Sequence, residues 1–201
     1  MKFNHPLMHN NFTNLDLVKV KKLLSKKNII LTQSAQVEKF EKAWSKWLGV
    51  KYSTFVNSGS SANFITIKVL NILNNKSSKN EIIIPTLTWV SDVNSVIMNG
   101  FKPVFVDVNL SNLSMNVDQV LNKINKKTLA VFITHAQGFN GLNDQLLKEL
   151  RKRKIHLIED VCESHGAEHK KKKIRQLWFN FKFFILLCSS YDHNRRRDDL
   201  H

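Results

Sequence analysis

The sequence predicts an α/β protein, a three-layer, mostly parallel sheet flanked by helices. Three observations carry that expectation. Helical and strand patterns alternate from about residue 37 to about residue 158. The strand segments are apolar runs without clean in–out alternation, as in strands covered on both faces. The segments between them have the length and periodicity of helical crossovers, which join parallel neighbours with a right-handed turn.

Taken in order, Val37, Phe40, Trp44, Trp47 and Leu48 form one helical stripe with charges opposite, and Gly49 closes that helix. Residues 52–56 read as a short strand and residues 60–73 as a helix. Residues 81–84 form an apolar strand stopped by Pro85, followed by a helix over 90–98. A strand over 104–108, a short helix over 117–124 and a strand over 129–134 come next. A helix over 142–153 and a strand over 155–158 complete the series. No internal repeat is present.

Composition narrows the class. The apolar share of 42% is enough for a sizeable core. No apolar run is long enough to span a bilayer, and the opening MKFNHPLMHNNF lacks a secretory signal's apolar stretch. The two cysteines, Cys162 and Cys188, give no disulfide framework, so a cytoplasmic protein is expected. The net charge of +15 suggests nucleic acid, but its distribution argues against it. Residues 170–201 hold 9 Lys+Arg against 3 Asp+Glu, and the remaining excess is lysine scattered over helix faces, such as Lys19, Lys21 and Lys22.

In open α/β sheets ligands sit beyond the carboxyl ends of the strands. That rule selects the turn Asn57-Ser58-Gly59-Ser60-Ser61-Ala62-Asn63, the loop with Thr86, Thr88 and Trp89, and Asp107. It also selects Thr134-His135 and Glu159-Asp160. The small residues Gly59, Ser60 and Ser61 at a helix start either cradle a phosphate or simply cap the helix. Trp89 either stacks on a flat ligand or packs in the core. Asp160 either keeps a ring nitrogen protonated or is a solvated or capping carboxylate. His165 orients that Asp or sits at a turn, and His135 contacts a ligand or caps a helix. No metal-ligand spacing is present.

The order of these features resembles the DegT/DnrJ/EryC1/StrS family of sugar aminotransferases, pyridoxal-phosphate enzymes of fold type I. The stretches VEKFEKAWSKWLGVKYSTFVNSGSSAN, EIIIPTLTWVSDVNSVIMNGFKPVFVDV and IHLIEDVCESHGA carry the likeness, over most of residues 31–169. The resemblance implies the partial large domain of that fold over 31–169, preceded by an N-terminal arm and helix over 1–30. It implies pyridoxal 5′-phosphate or pyridoxamine 5′-phosphate as cofactor. Ser60 and Ser61 would hold its phosphate, Trp89 would stack on its ring, and Asp160 would pair with its ring nitrogen. Glu163 stands where many members have Gln near the ring hydroxyl, and His165 matches a family histidine. A nucleotide-linked keto-sugar is the implied substrate, and a homodimer the implied assembly.

The family's Schiff-base lysine is expected about 29 residues after Asp160, where this chain has Ser189. The likeness stops after Lys173, and residues 170–201 read as a basic, disordered, out-of-frame tail, with the family's C-terminal small domain absent. With suitable codons chosen for the residues after Lys173, removing one A from a codon run for Lys170–Lys173 turns the following text into LGNYGLISNFSFYYAHHMTTIEGGMICT, which resembles the family's next segment. Its His-His stands where most relatives begin Lys-Asn. Together with NHPLMHNNF, VNSGSSAN and THAQGFNGL, this is most similar to the CDP-6-deoxy-hexulose 3-dehydrase branch. A 3-dehydratase of a nucleotide-linked 4-keto-6-deoxy sugar is therefore expected, in cell-surface polysaccharide synthesis, with an aminotransferase of the same family as the alternative. A non-catalytic relative or a basic nucleic-acid binder is the alternative of another class. The printed chain itself is expected to be inactive and, with apolar surface left bare, poorly soluble.

Overall fold

The computed structural model describes residues 12–74, 77–174 and 184–186, the last three as backbone. Its elements are α1 (Asn14–Leu24), α2 (Ala35–Leu48), β1 (Ser53–Phe55), α3 (Gly59–Leu73), β2 (Glu81–Pro85), α4 (Val90–Met98) and β3 (Lys102–Val106). They continue with α5 (Val117–Lys123), β4 (Thr128–Thr134), α6 (Asp144–Arg153), β5 (His156–Asp160), β6 (Glu168–His169), β7 (Lys172–Lys173) and β8 (Phe184–Leu186).

Four strands form the central sheet in the order β3-β2-β4-β5, and every pairing in it is parallel. Neighbouring residues on a strand point to opposite faces, and in β2 and β4 both faces are buried. Ile82, Ile84 and Phe132 pack with Ile67 and Leu70 of α3 and Val96 of α4. Ile83, Val131, Ile133 and Leu157 pack with Val120 of α5 and Leu146, Leu147 and Leu150 of α6. The result is helices, sheet, helices: the three layers expected from unalternating apolar strands.

Local chemistry fixes the element ends. Gly49 adopts φ 76° and ends α2 in a left-handed cap, a conformation without steric cost only for glycine. The Asn143 side chain accepts from Leu146 N–H, so α6 starts at Asp144 rather than at Leu142, which is buried just ahead of it. Strand β3 runs over Lys102–Val106 instead of 104–108; Val108 makes only an isolated bridge to Met115. Strand β5 runs on to Asp160, two residues beyond the apolar stretch, because the backbones of Ile133 and Thr134 pair with those of Glu159 and Asp160.

Two parts of the chain depart from the expected sheet. β1 does not join the four strands but pairs in parallel with β8, Ser53 opposite Phe184. α1 is closed by a capping box between Thr13 and Asp16, yet buries none of its residues. Within 170–201, where the pattern held no strand, β7 pairs with β6 and β8 with β1. The remainder of that tail reading, including Ser189, lies outside the described residues. Among the described residues no helix is long and apolar enough to cross a membrane, and no group of three or more His, Cys, Asp or Glu residues is gathered to hold a metal.

Candidate active site

The order β3-β2-β4-β5 locates a crevice before any residue is considered. From β2 the chain crosses to β3 on one side, then returns past β2 to reach β4 and β5 on the other. The direction of winding reverses between β2 and β4, and ligands of such sheets bind where it reverses, at the carboxyl ends of the strands. At that point Thr88, after β2, and Thr134, the last residue of β4, bring their Oγ1 atoms to 2.6 Å.

A buried polar network spreads from this pair. Asp92 of α4 places Oδ2 within hydrogen-bond length of both hydroxyls, at 2.5 Å from Thr88 and 2.7 Å from Thr134. Asn63, one turn into α3, donates through Nδ2 to Asp92 Oδ1 at 2.6 Å and to Asp160 Oδ2 at 2.9 Å, and lies 3.2 Å from Ser91 Oγ. The other Asp160 oxygen accepts from Cys162 N–H at 2.9 Å. Asp92 is 0% exposed and Asp160 4%. Burial, first, and the charge of Asp160, second, push the Asp92 carboxyl up to about 8. The hydroxyls of Thr88 and Thr134 work the other way, and a carboxyl-to-carboxyl hydrogen bond with Asp160 adds to the rise.

The other expected residues lie around this network. Ser58 is the N-cap of α3, its Oγ accepting from Ser61 N–H at 3.1 Å. The first-turn amides, those of Gly59 and Ser60 among them, have no carbonyl one turn back to bond. Ser60 is exposed and Ser61 half-buried. Trp89, the residue before α4, is 64% exposed and so is not core. Three loops thus converge: α3 brings the serine turn and Asn63, the loop after β2 brings Thr88 and Trp89, and β5 brings Asp160.

His135 is enclosed. Its Nδ1 accepts from Gly141 N–H at 3.0 Å, which puts the ring proton on Nε2, toward Glu159 Oε1 at 3.2 Å. Its backbone N–H donates to the Asp160 carbonyl and its carbonyl accepts from Ser164 Oγ. His135 is therefore a buried brace for the Asp160 segment. The exposed Glu163 accepts from Gln137 N–H at 2.6 Å, with Gln137 at φ 55° in a single 3-10 turn over Ala136–Gly138. His165 packs edge-on against the Trp44 ring at 5.4 Å. Asp107 bonds its own neighbourhood, accepting from Val108 N–H.

Asp92 was not among the residues selected from sequence, and Asn63 was selected only as part of its turn. A signal existed for both. α4 carries Ser91, Asp92, Ser95 and Asn99 at helical spacing, and all four are buried, while Val90, Ile97 and Met98 face outward. A helix with its polar stripe turned inward marks a polar site beneath it.

An exposed indole, a capped helix start and a buried carboxylate thus stand around the switch point of the sheet. Residues 12–182 match the model of the DegT/DnrJ/EryC1/StrS aminotransferase family, and the chain belongs to that family. The match reaches past Lys173, where the likeness read from sequence stopped. GDP-perosamine synthase of Escherichia coli O157:H7 is 30% identical over 145 residues, 72% of this chain and 39% of its own length. GDP-4-keto-6-deoxy-D-mannose 3-dehydratase of Escherichia coli O55:H7 is 28% identical over 84% of this chain and 44% of its own. A crystal structure of GDP-4-keto-6-deoxymannose-3-dehydratase, with a trapped PLP-glutamate geminal diamine, superposes with a TM-score of 0.77 at 27% identity, over 84% of this chain and 44% of that one. The chain thus spans about two fifths of the length of the relatives it matches.

Proposed function

We propose that this chain is the cofactor-holding part of a pyridoxal- or pyridoxamine-phosphate enzyme acting on a nucleotide-linked 4-keto-6-deoxy sugar. The reaction class is 3-dehydration, in deoxysugar and polysaccharide synthesis. The observation that carries the reading is the Asn63–Asp160 hydrogen bond, which ties the helix opened by Ser58-Gly59-Ser60-Ser61 to a buried carboxylate at the β2/β4 crevice.

The residues fit the group. The first-turn amides of α3 and the Ser60 and Ser61 hydroxyls would hold its phosphate against the positive end of the helix. The exposed Trp89 indole would cover one face of the ring. Asp160, held on both oxygens, would keep the ring nitrogen protonated. With its nitrogen protonated, the bound cofactor would supply an electron sink for negative charge developing on the substrate. Glu163 would lie near the ring hydroxyl, beside the Gln137 turn.

Dehydration is favoured over amino transfer by the 3-dehydratase relative, whose similarity extends over more of this chain than that of the synthase. The 30% identity to GDP-perosamine synthase supports transamination as the second reading. Ser189 offers a hydroxyl where the family has its lysine or a base, so these 201 residues are proposed to bind cofactor without turnover. A cytoplasmic location is proposed, since the two cysteines give no disulfide framework. A homodimer is proposed for the intact enzyme.

The test has two arms. Pyridoxal phosphate added to the purified chain should give a bound-cofactor absorbance band and quench the indole fluorescence, both lost in Trp89→Ala; no uptake refutes the site. Resequencing across the Lys170–Lys173 run should then show whether a one-base-shorter run restores the His-His segment. That product should convert GDP-4-keto-6-deoxymannose to a 3-deoxy sugar; an amino sugar formed from glutamate would favour the second reading.

A further inference from the structure

We propose that Asp92 is a proton-holding positioning residue, kept as the neutral member of a buried carboxyl pair so that Asp160 alone carries the charge and is aimed by the shared Asn63 amide. The orienting part rests on the reading of Asp160 as the partner of the ring nitrogen.

Proton counting carries the inference. Asp92 Oδ2, Thr88 Oγ1 and Thr134 Oγ1 form a triangle with sides of 2.5, 2.6 and 2.7 Å, each of hydrogen-bond length. The two hydroxyls bring two protons to three sides. A carboxylate leaves one side with oxygens in contact and no hydrogen between them; a carboxylic acid supplies the third proton, so that Asp92 Oδ2 donates to one hydroxyl and accepts from the other. With that proton in the ring Asp92 is neutral. Asn63 then has one amide hydrogen for each carboxyl, 2.6 Å to Asp92 and 2.9 Å to Asp160. Two adjacent carboxyls in a water-free site cannot both ionise cheaply. Asp92, 0% exposed, keeps the proton, and Asp160, 4% exposed at the end of β5, keeps the charge.

The groups facing Asp92 are the Asn63 amide from α3, the Thr134 hydroxyl from β4, Thr88 from the loop after β2, and the Asp160 carboxyl from β5. Its carboxyl is raised from an ordinary 3.8 to about 8. Across that window the native state holds one proton more than the unfolded chain. The stabilisation is therefore complete below the ordinary carboxyl range and is lost as pH rises through 8, by about tenfold in the folding constant per pH unit.

Urea unfolding of the 201-residue chain and of Asp92→Asn, from about pH 5 to about pH 9, tests this. The Asn amide mimics the neutral acid, its oxygen accepting from Asn63 and its NH2 donating to the threonine pair. The folding constant of the unmodified chain relative to the variant should fall about tenfold per pH unit and level off above 8. Parallel profiles would overturn the proposal. If the variant does not fold, infrared spectroscopy of the unmodified chain replaces it: a carboxylic-acid C=O band should be present near neutrality and vanish as pH passes 8, and its absence near neutrality overturns the proposal. With pyridoxal phosphate added, the bound-cofactor band should shift with the same midpoint in the unmodified chain and not in Asp92→Asn. A chain that shows the pH slope but takes up no pyridoxal phosphate refutes the orienting role and the site reading together, leaving Asp92 a structural acid.

Discussion

Replacing Asn63 by alanine removes one NH2 group and leaves two buried carboxyls facing each other. The bond to Asp160 is charge-assisted, which is worth about 1.5–3 kcal/mol, and the bond to neutral Asp92 adds about 1 kcal/mol. The Ser91 hydroxyl also loses its neighbour at 3.2 Å. The alanine is smaller, but its cavity is lined by polar groups that water can serve, which returns part of the loss. A net destabilisation of about 3 kcal/mol is expected, a large share of the roughly 5–15 kcal/mol typical of a folded domain. Urea denaturation at neutral pH, read by the tryptophan fluorescence of α2, measures it. The deficit should grow above pH 8, where Asp92 gives up its proton and two charges are left without the amide between them. A loss under about 1 kcal/mol, or one that does not grow with pH, would show that Asn63 is not what holds the carboxyl pair together.

Other substitutions separate scaffold from site. Trp89→Ala should leave stability within about 0.5 kcal/mol, because the indole is exposed, while weakening cofactor uptake in an absorbance titration. Ser58→Ala removes the α3 cap and should cost about 1 kcal/mol by denaturant melt, with a parallel drop in affinity for inorganic phosphate. Phe132→Ala empties the centre of the sheet and should cost about 3–5 kcal/mol, enough to make the chain insoluble on expression.

Much of this fold could be read from apolar periodicity, because β2, β4 and β5 are buried on both faces and their runs of Ile, Val and Leu have no other use. Trp89 and Asp160 could be selected because each ends or follows a strand of the four-stranded sheet, whose parallel strand ends share one edge; the serine turn follows β1, which lies outside that sheet. Asp92 could not be selected, because an aspartate at helical spacing among valines and serines looks like the solvent face of an amphipathic helix. Its burial depends on α3 supplying Asn63 from 29 positions earlier, a tertiary fact. The pairing of β1 was hidden as well, since its partner Phe184–Leu186 lies in a segment without strand periodicity. The histidine–glutamate brace of His135 and Glu159 only appears when β4 and β5 are laid side by side.

The sheet order also sets an order of assembly. β2 meets β3 across a gap of about 20 residues and β4 meets β5 across about 25, whereas β2 must find β4 across almost 50. The two shorter units, β2-α4-β3 and β4-α6-β5, are local enough to form first, and the β2–β4 seam closes between them. The Thr88–Thr134 contact lies on that seam, and Asn63 reaches across it to Asp160. The crevice is therefore created by the docking of two folding units rather than carved into one, and hydrogen exchange at the β2–β4 amides should report whether the chemistry-bearing edge has come together at all.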